Sequence, residues 1–242
     1  MVKSSFTVAL SAQVLSSLGC STLRKLSAVV ASRIHIVRHG EVYNPDHVLY
    51  GRLPNFGLSD LGKRMAQAAA DELASRGRPV TALFASPLQR AQESAAPQAA
   101  AFNLPIQTEP RIIEPTNKFE GMSPRVRNAA LRQPKNWSWV MNPFKPSWGE
   151  AYKSVTTRML AAIDDAYNSV DDGDVVMVSH QLPIWATHLE ITGQHLWHDP
   201  RKRRCNLSSI TTVERQGDRF VEIGYADPAG SLLVGAVDDG AV

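Results

Sequence analysis

The sequence predicts an α/β fold with a mainly parallel sheet. Short apolar runs at 34–37, 81–85 and 175–178 alternate with longer stretches of helical period. Each run stops at a polar turn or at a helix-start signal, which is how strands and crossover helices punctuate a chain. The closing stretch differs, with two strand-like runs separated by Gln216-Gly217-Asp218, as in a hairpin.

Taken in order, 33–37 reads as the first strand. Residues 60–76 form a helix capped by Ser59 and stopped by Gly77, with an alanine-rich face to bury. A strand at 80–85 leads into a helix at 87–102, for which Ser86 is the expected N-cap, Pro87 the first helical residue and Gln89 the partner in a capping box. Residues 105–108 are a short strand. Tyr152, Val155, Met159, Ala162, Ile163 and Ala166 recur at helical spacing and place a helix over 150–170. A strand at 174–179, a helix at 182–189 and the hairpin strands 207–213 and 220–225 complete the order. The glycine-, alanine- and aspartate-rich tail from Asp227 is expected to be peripheral.

Chemistry-bearing residues gather at the element ends. Arg38-His39-Gly40 follows the first strand, and strand carboxyl ends are where ligands bind in open α/β sheets. Histidine can act as nucleophile, base or acid near neutrality, and arginine presents a planar fork of donors to phosphate oxygens. Arg90 falls in the first turn of a helix, where an anion is favoured. His180 is a second strand-end histidine, and Glu114 ends the stretch Arg111-Ile112-Ile113-Glu114. Two histidines, two arginines and a carboxylate suit phosphate chemistry on an imidazole.

The motifs run Ile36-Val37-Arg38-His39-Gly40-Glu41, Leu58-Ser59-Asp60-Leu61-Gly62, Ala85-Ser86-Pro87-Leu88-Gln89-Arg90-Ala91, Glu114 with Phe119-Glu120-Gly121, and Val178-Ser179-His180. In this order, across roughly residues 33–226, they resemble the histidine phosphatase superfamily, in the branch that contains cofactor-dependent phosphoglycerate mutases. The resemblance implies a three-layer α/β/α sandwich. It implies a catalytic domain over 32–226 with a cap-like insertion at 115–149, between an N-terminal extension 1–31 and a tail 227–242. His39 would be the nucleophile, Arg38, Arg90 and His180 the phosphate-binding groups, and Glu114 the acid, with Glu120 as a structural neighbour. Neither cofactor nor metal is implied.

Asn44 stands one residue earlier than the family's usual asparagine, and Val42 replaces a common Thr or Ser, so a phosphate contact by Asn44 is left open. So is a substrate contact by Arg52, while Gln181 beside His180 joins the expected binding set. The loop after Glu114 lacks the Arg-His-Tyr-Gly of the mutases, so hydrolysis of a small phosphorylated metabolite is the expected activity. A mutase-type isomerase is the alternative. A non-catalytic phospholigand-binding protein would have lost the nucleophile, an arginine or the acid, and none is lost.

Composition is that of an ordinary globular protein: 242 residues, 43% hydrophobic, 20% charged and a net charge of +3. The basic run Arg201-Lys202-Arg203-Arg204 reads as a solvated loop rather than a nucleic-acid contact, because no recognition motif accompanies it. The stretch His195-Leu196-Trp197-His198-Asp199 could imitate metal ligands, but it reads as loop and edge residues because no further ligand group is evident. Cys20 and Cys205 show neither redox nor metal spacing. No apolar stretch approaches a membrane span. A cytoplasmic location is expected, with export or lipid anchoring through Cys20 as the alternative, and a homodimer is left open. Five prolines and Trp137, Trp139 and Trp148 mark the 115–149 stretch as a cap over the site or as a satellite core. Its Arg125, Arg127, Arg132, Lys135 and Lys145 could meet further anionic groups.

Overall fold

The computed structural model describes residues 30–123, 125–126, 129, 132–134 and 149–238. Cys20, the three cap tryptophans, Arg127, Lys135 and Lys145 lie outside them, while Arg125 and Arg132 are exposed.

Strands β1 (Arg33–Arg38), β2 (Val80–Ala85), β3 (Ile106–Thr108), β4 (Asp174–Ser179), β5 (Ile210–Gln216) and β6 (Arg219–Ala226) form one sheet in the order β3-β2-β4-β1-β5-β6. The pairings β3-β2, β2-β4 and β4-β1 are parallel, and β5 and β6 add an antiparallel edge. Among the described residues the α-helices are α1 (Asp60–Ser75), α2 (Gln89–Phe102), α3 (Tyr152–Asn168) and α4 (Gln181–Ile191).

Alternation along the strands builds two cores. On one face Ile34, Ile36, Val175 and Met177 pack with Val155, Met159 and Ile163 of α3 and Ile184 of α4. On the other Val37, Leu83, Ala85, Val176 and Val178 pack with Ala69 and Leu73 of α1 and Ala91 and Ala95 of α2. The sheet is thus covered by helices on both faces, which is the expected three-layer arrangement. β4 has no exposed residue because it lies between two parallel neighbours beneath both helix layers.

Ser59 caps α1 as expected, its hydroxyl accepting from the Gly62 amide at 2.9 Å. The cap expected on α2 is different. The helix begins at Gln89 with Leu88 as N-cap and no side-chain cap bond. Ser86 stands outside it because its hydroxyl is 2.7 Å from His180 Nε2. The hairpin strands begin and end up to three residues from their expected bounds. Leu207 belongs to a small cluster with Met65 and Ala229 rather than to the sheet.

Two further expectations are corrected. In the basic run Arg203 is buried, not solvated, and Arg204 pairs with Glu222. The tail is not peripheral: Leu232, Leu233 and Ala236 pack onto the Met65–Leu207–Ala229 cluster, and the chain continues from there to Arg38.

Candidate active site

Parallel pairing assembles the site. The register sets Arg38 opposite Ser179 and Ala85 opposite Val178. The residues that follow these three strands, His39, His180 and Ser86, therefore emerge side by side at one edge of the sheet. Helices α2 and α4 start at the same edge, so two helix N-termini face it and favour an anion there.

His39 is buried, and its Nδ1 lies 2.7 Å from the Gly40 carbonyl oxygen. A carbonyl can only accept, so Nδ1 carries the hydrogen and Nε2 holds the lone pair. Burial, and then Arg90 and Arg38, hold the imidazole well below its ordinary pKa, so the ring is neutral near pH 7. Arg90 Nε points at Nε2 from 3.3 Å. The same guanidinium donates to the Gly51 carbonyl at 2.7 Å and lies over the Tyr50 ring, 4.7 Å from its centroid.

The turn behind His39 is fixed by close packing. The Gly40 amide donates to Ser94 Oγ at 3.0 Å, and a Cβ on Gly40 would lie 2.3 Å from the Gly62 carbonyl oxygen. No side chain fits between the two backbones. Gly40→Ala is expected to cost about 1–3 kcal/mol of stability through overpacking and to displace His39. Denaturant unfolding checks this, and a loss below about 0.5 kcal/mol would show that the two segments can separate freely.

Arg38 is only 1% exposed. Its Nη1 donates to the Cys205 carbonyl at 2.7 Å and to Asp238 at 2.8 Å, while Nη2 pairs with the other Asp238 oxygen. His180 is fully buried and lowered well below its ordinary pKa, first by burial and then by Arg90, His39 and Arg38. Its Nε2 meets Ser86, and its Nδ1 has no hydrogen-bond partner among the described residues. That Nδ1 faces Glu114 Oε2 at 3.9 Å. The separation is too long for a hydrogen bond, and with a neutral imidazole it is not an ion pair either. The gap lies between a ring nitrogen and a carboxyl oxygen in the same buried cluster.

Burial pushes the Glu114 carboxyl up to about 7, against the pull of Arg90, Arg203, Arg38 and Arg158. The segment that carries it is pinned at three carbonyls, those of Glu114, Ile112 and Arg111. Arg52 Nε donates to the Glu114 carbonyl at 2.5 Å, Ser179 Oγ donates to the Ile112 carbonyl at 2.7 Å, and Arg158 Nη1 donates to the Arg111 carbonyl. Arg52 thus fixes the loop that carries Glu114. Glu120 accepts from the Arg52 and Asn117 amides and shapes the same loop.

The candidates do not all converge. His39, Arg90, His180 and Glu114 share one cluster with Arg38. Asn44 instead closes its own loop, its amide bonded both ways to the Val48 backbone at 2.8 and 3.2 Å. Gln181 opens α4 and accepts from Arg203 at 3.1 Å. His195 is exposed, His198 is bonded to Leu196 and Arg203, and Asp199 caps a short 3₁₀ turn. Among the described residues no three His, Cys, Asp or Glu side chains gather as a metal site, and no helix is long and apolar enough to cross a membrane. Ser86, Arg203, Tyr50 and Asp238 are the residues at this edge that sequence reasoning did not assign to the site. Only Ser86 carried a signal, as the polar residue that ends the β2 run.

The model of the histidine phosphatase superfamily (branch 1) matches residues 34–228. An uncharacterized protein of Mycobacterium tuberculosis, Rv0525, is 50% identical over 198 residues, 82% of this chain and 97% of its own. Phosphoserine phosphatase 1 of Hydrogenobacter thermophilus is 31% identical over 169 residues, 68% of this chain and 78% of its own. The native structure of a mycobacterial glucosyl-3-phosphoglycerate phosphatase, Rv2419c, shares the fold with a TM-score of 0.63 at 22% identity, across 79% of this chain and 97% of that one.

Proposed function

Because the chain belongs to the histidine phosphatase superfamily, branch 1, we propose that it is a metal-independent phosphatase that hydrolyses a small phosphomonoester through a phosphohistidine on His39. The observation that carries this is the Nδ1 bond of His39 to the Gly40 carbonyl, which leaves Nε2 unprotonated beside Arg90. In this reading residues 32–226 are the catalytic unit and 115–149 its cap.

A phosphomonoester dianion repels nucleophiles, so its charge has to be met by donors fixed in advance. Arg38, Arg90 and His180 are such donors. Nε2 of His39 attacks phosphorus, the bond from phosphorus to the ester oxygen breaks, and Glu114 gives its proton to the departing alkoxide. Glu114 then takes a proton from water as that water attacks phosphorus. The bond to Nε2 breaks, and inorganic phosphate leaves with the enzyme restored. The kinship with phosphoserine phosphatase 1 supports an alkyl phosphate as substrate.

A screen of phosphorylated metabolites with the purified chain, reading phosphate release, tests the proposal. Sugar phosphates, phosphoglycerate derivatives and nucleotide-loop phosphates of cofactor biosynthesis belong in the panel. Formation of 2-phosphoglycerate faster than phosphate release would favour a mutase instead. Because arginine and histidine supply the positive field, activity is expected to survive dialysis against excess chelator. A tenfold loss restored by magnesium or zinc would overturn metal independence.

A further inference from the structure

Arg38 lies at the end of β1, next to the nucleophile, yet a residue 200 positions away already holds its donors. Both carboxylate oxygens of Asp238 meet its two Nη groups, one at 2.8 Å, in the fork-on-fork geometry that arginine also uses for phosphate. Among the described residues only the Cys205 carbonyl shares them, and Arg38 Nε has no partner there.

The tail is held in place for this contact. Ala229 is buried, and Leu232, Leu233 and Ala236 pack against the Met65–Leu207 cluster. The Val237 amide donates to Glu41 Oε1 at 2.7 Å, and Ser59 Oγ donates to the other oxygen of the same carboxylate. The Asp238 side chain itself stays 37% exposed, so it can leave without opening a core.

We propose that Asp238 is a resident competitor for the phosphate seat on Arg38, an intramolecular carboxylate that substrate must displace and that returns when phosphate departs. This rests on the reading of Arg38 as a phosphate-binding group. A buried guanidinium without an anion is costly, so the seat is never empty: Asp238 satisfies it in the resting enzyme and the phosphoryl group during turnover. The exchange weakens binding of substrate and of product phosphate alike.

The test uses inorganic phosphate as the probe and the full chain as the protein. By titration calorimetry, Asp238→Asn and Asp238→Ala are expected to bind phosphate about tenfold tighter or more, a shift of about 1.4 kcal/mol, and to lower KM for 4-nitrophenyl phosphate. Unchanged or weaker phosphate binding in both folded variants overturns the competitor. If both variants bind phosphate more tightly but no form of the chain hydrolyses any ester, the competitor stands and the phosphatase reading falls.

A measurement on the unaltered chain covers the case in which the variants fail to fold. Saturating phosphate should speed hydrogen exchange at the Val237 amide, because that amide is bonded to Glu41 only while the tail is docked. Exchange that stays unchanged or slows overturns the proposal.

Discussion

His39→Ala is expected to lower phosphate release by about 10⁴-fold or more, whichever ester is offered, because losing the nucleophile removes the covalent route altogether. The residual rate would come from Arg38, Arg90 and His180 binding the phosphoryl group beside water. Brief incubation of the unaltered chain with substrate should leave an acid-labile, base-stable phosphoryl group on His39, seen by rapid quench and mass spectrometry. Label on a serine or an aspartate, or activity in the variant within tenfold of the unaltered chain, would sink the mechanism. Alanine here also leaves Arg90 Nε without its 3.3 Å partner, so a melting curve and retained phosphate binding are needed alongside. A variant that melts normally and binds phosphate but does not turn over separates lost chemistry from lost structure.

The parts of this site that were legible in the sequence are those that local pattern encodes. β2 and β4 have the bounds their apolar runs predict, and β1 runs one residue further to Arg38. Because a parallel sheet sets strand ends at a common edge, the residue after each run could be placed near the others before any contact was known. Glu114 has a different basis: a 3₁₀ turn, Pro110–Ile112, precedes it rather than a strand, and the family resemblance, not a strand end, singled it out as the first carboxylate after Ile112-Ile113.

What was not legible depends on where side chains point across long separations. Ser86-Pro87-Leu88-Gln89 passes for a capping box, but the hydroxyl is taken by His180, 94 positions away, so the helix starts without it. Arg203 reads as one more basic residue in a solvated run. Its burial follows from His198 and Gln181, which accept its donors, and no spacing rule reports that. Asp238 sits in a tail whose composition suggests irregularity, and its bond to Arg38 leaves no local trace. Asn44 shows the same limit: a polar residue near the first motif invites a ligand role, while its side-chain amide is bonded to the Val48 backbone four residues on.

The second large effect concerns Glu114. A general acid matters when the leaving group is poor, because a good one departs without a proton. Glu114→Gln is therefore expected to slow the first step with an alkyl phosphate by about 10²–10⁴-fold, while leaving much of that step intact with 4-nitrophenyl phosphate. Turnover of the aryl ester still slows, since the same carboxylate activates water in the second step. The pH profile supplies the sign. Burial holds the carboxyl at about 7 and the nucleophile His39 well below its ordinary value. Below pH 7 the acid is protonated and the nucleophile remains free, so kcat/KM for an alkyl ester should fall as pH rises through about 7, where Glu114 loses its proton. That falling limb should vanish in Glu114→Gln. Glu120→Gln should keep it, because Glu120 serves the Arg52 and Asn117 amides rather than the reacting oxygen. If Glu120→Gln loses the limb and Glu114→Gln keeps it, the two carboxylates exchange roles. If both esters slow equally in the first step of Glu114→Gln, that carboxyl is not the proton donor.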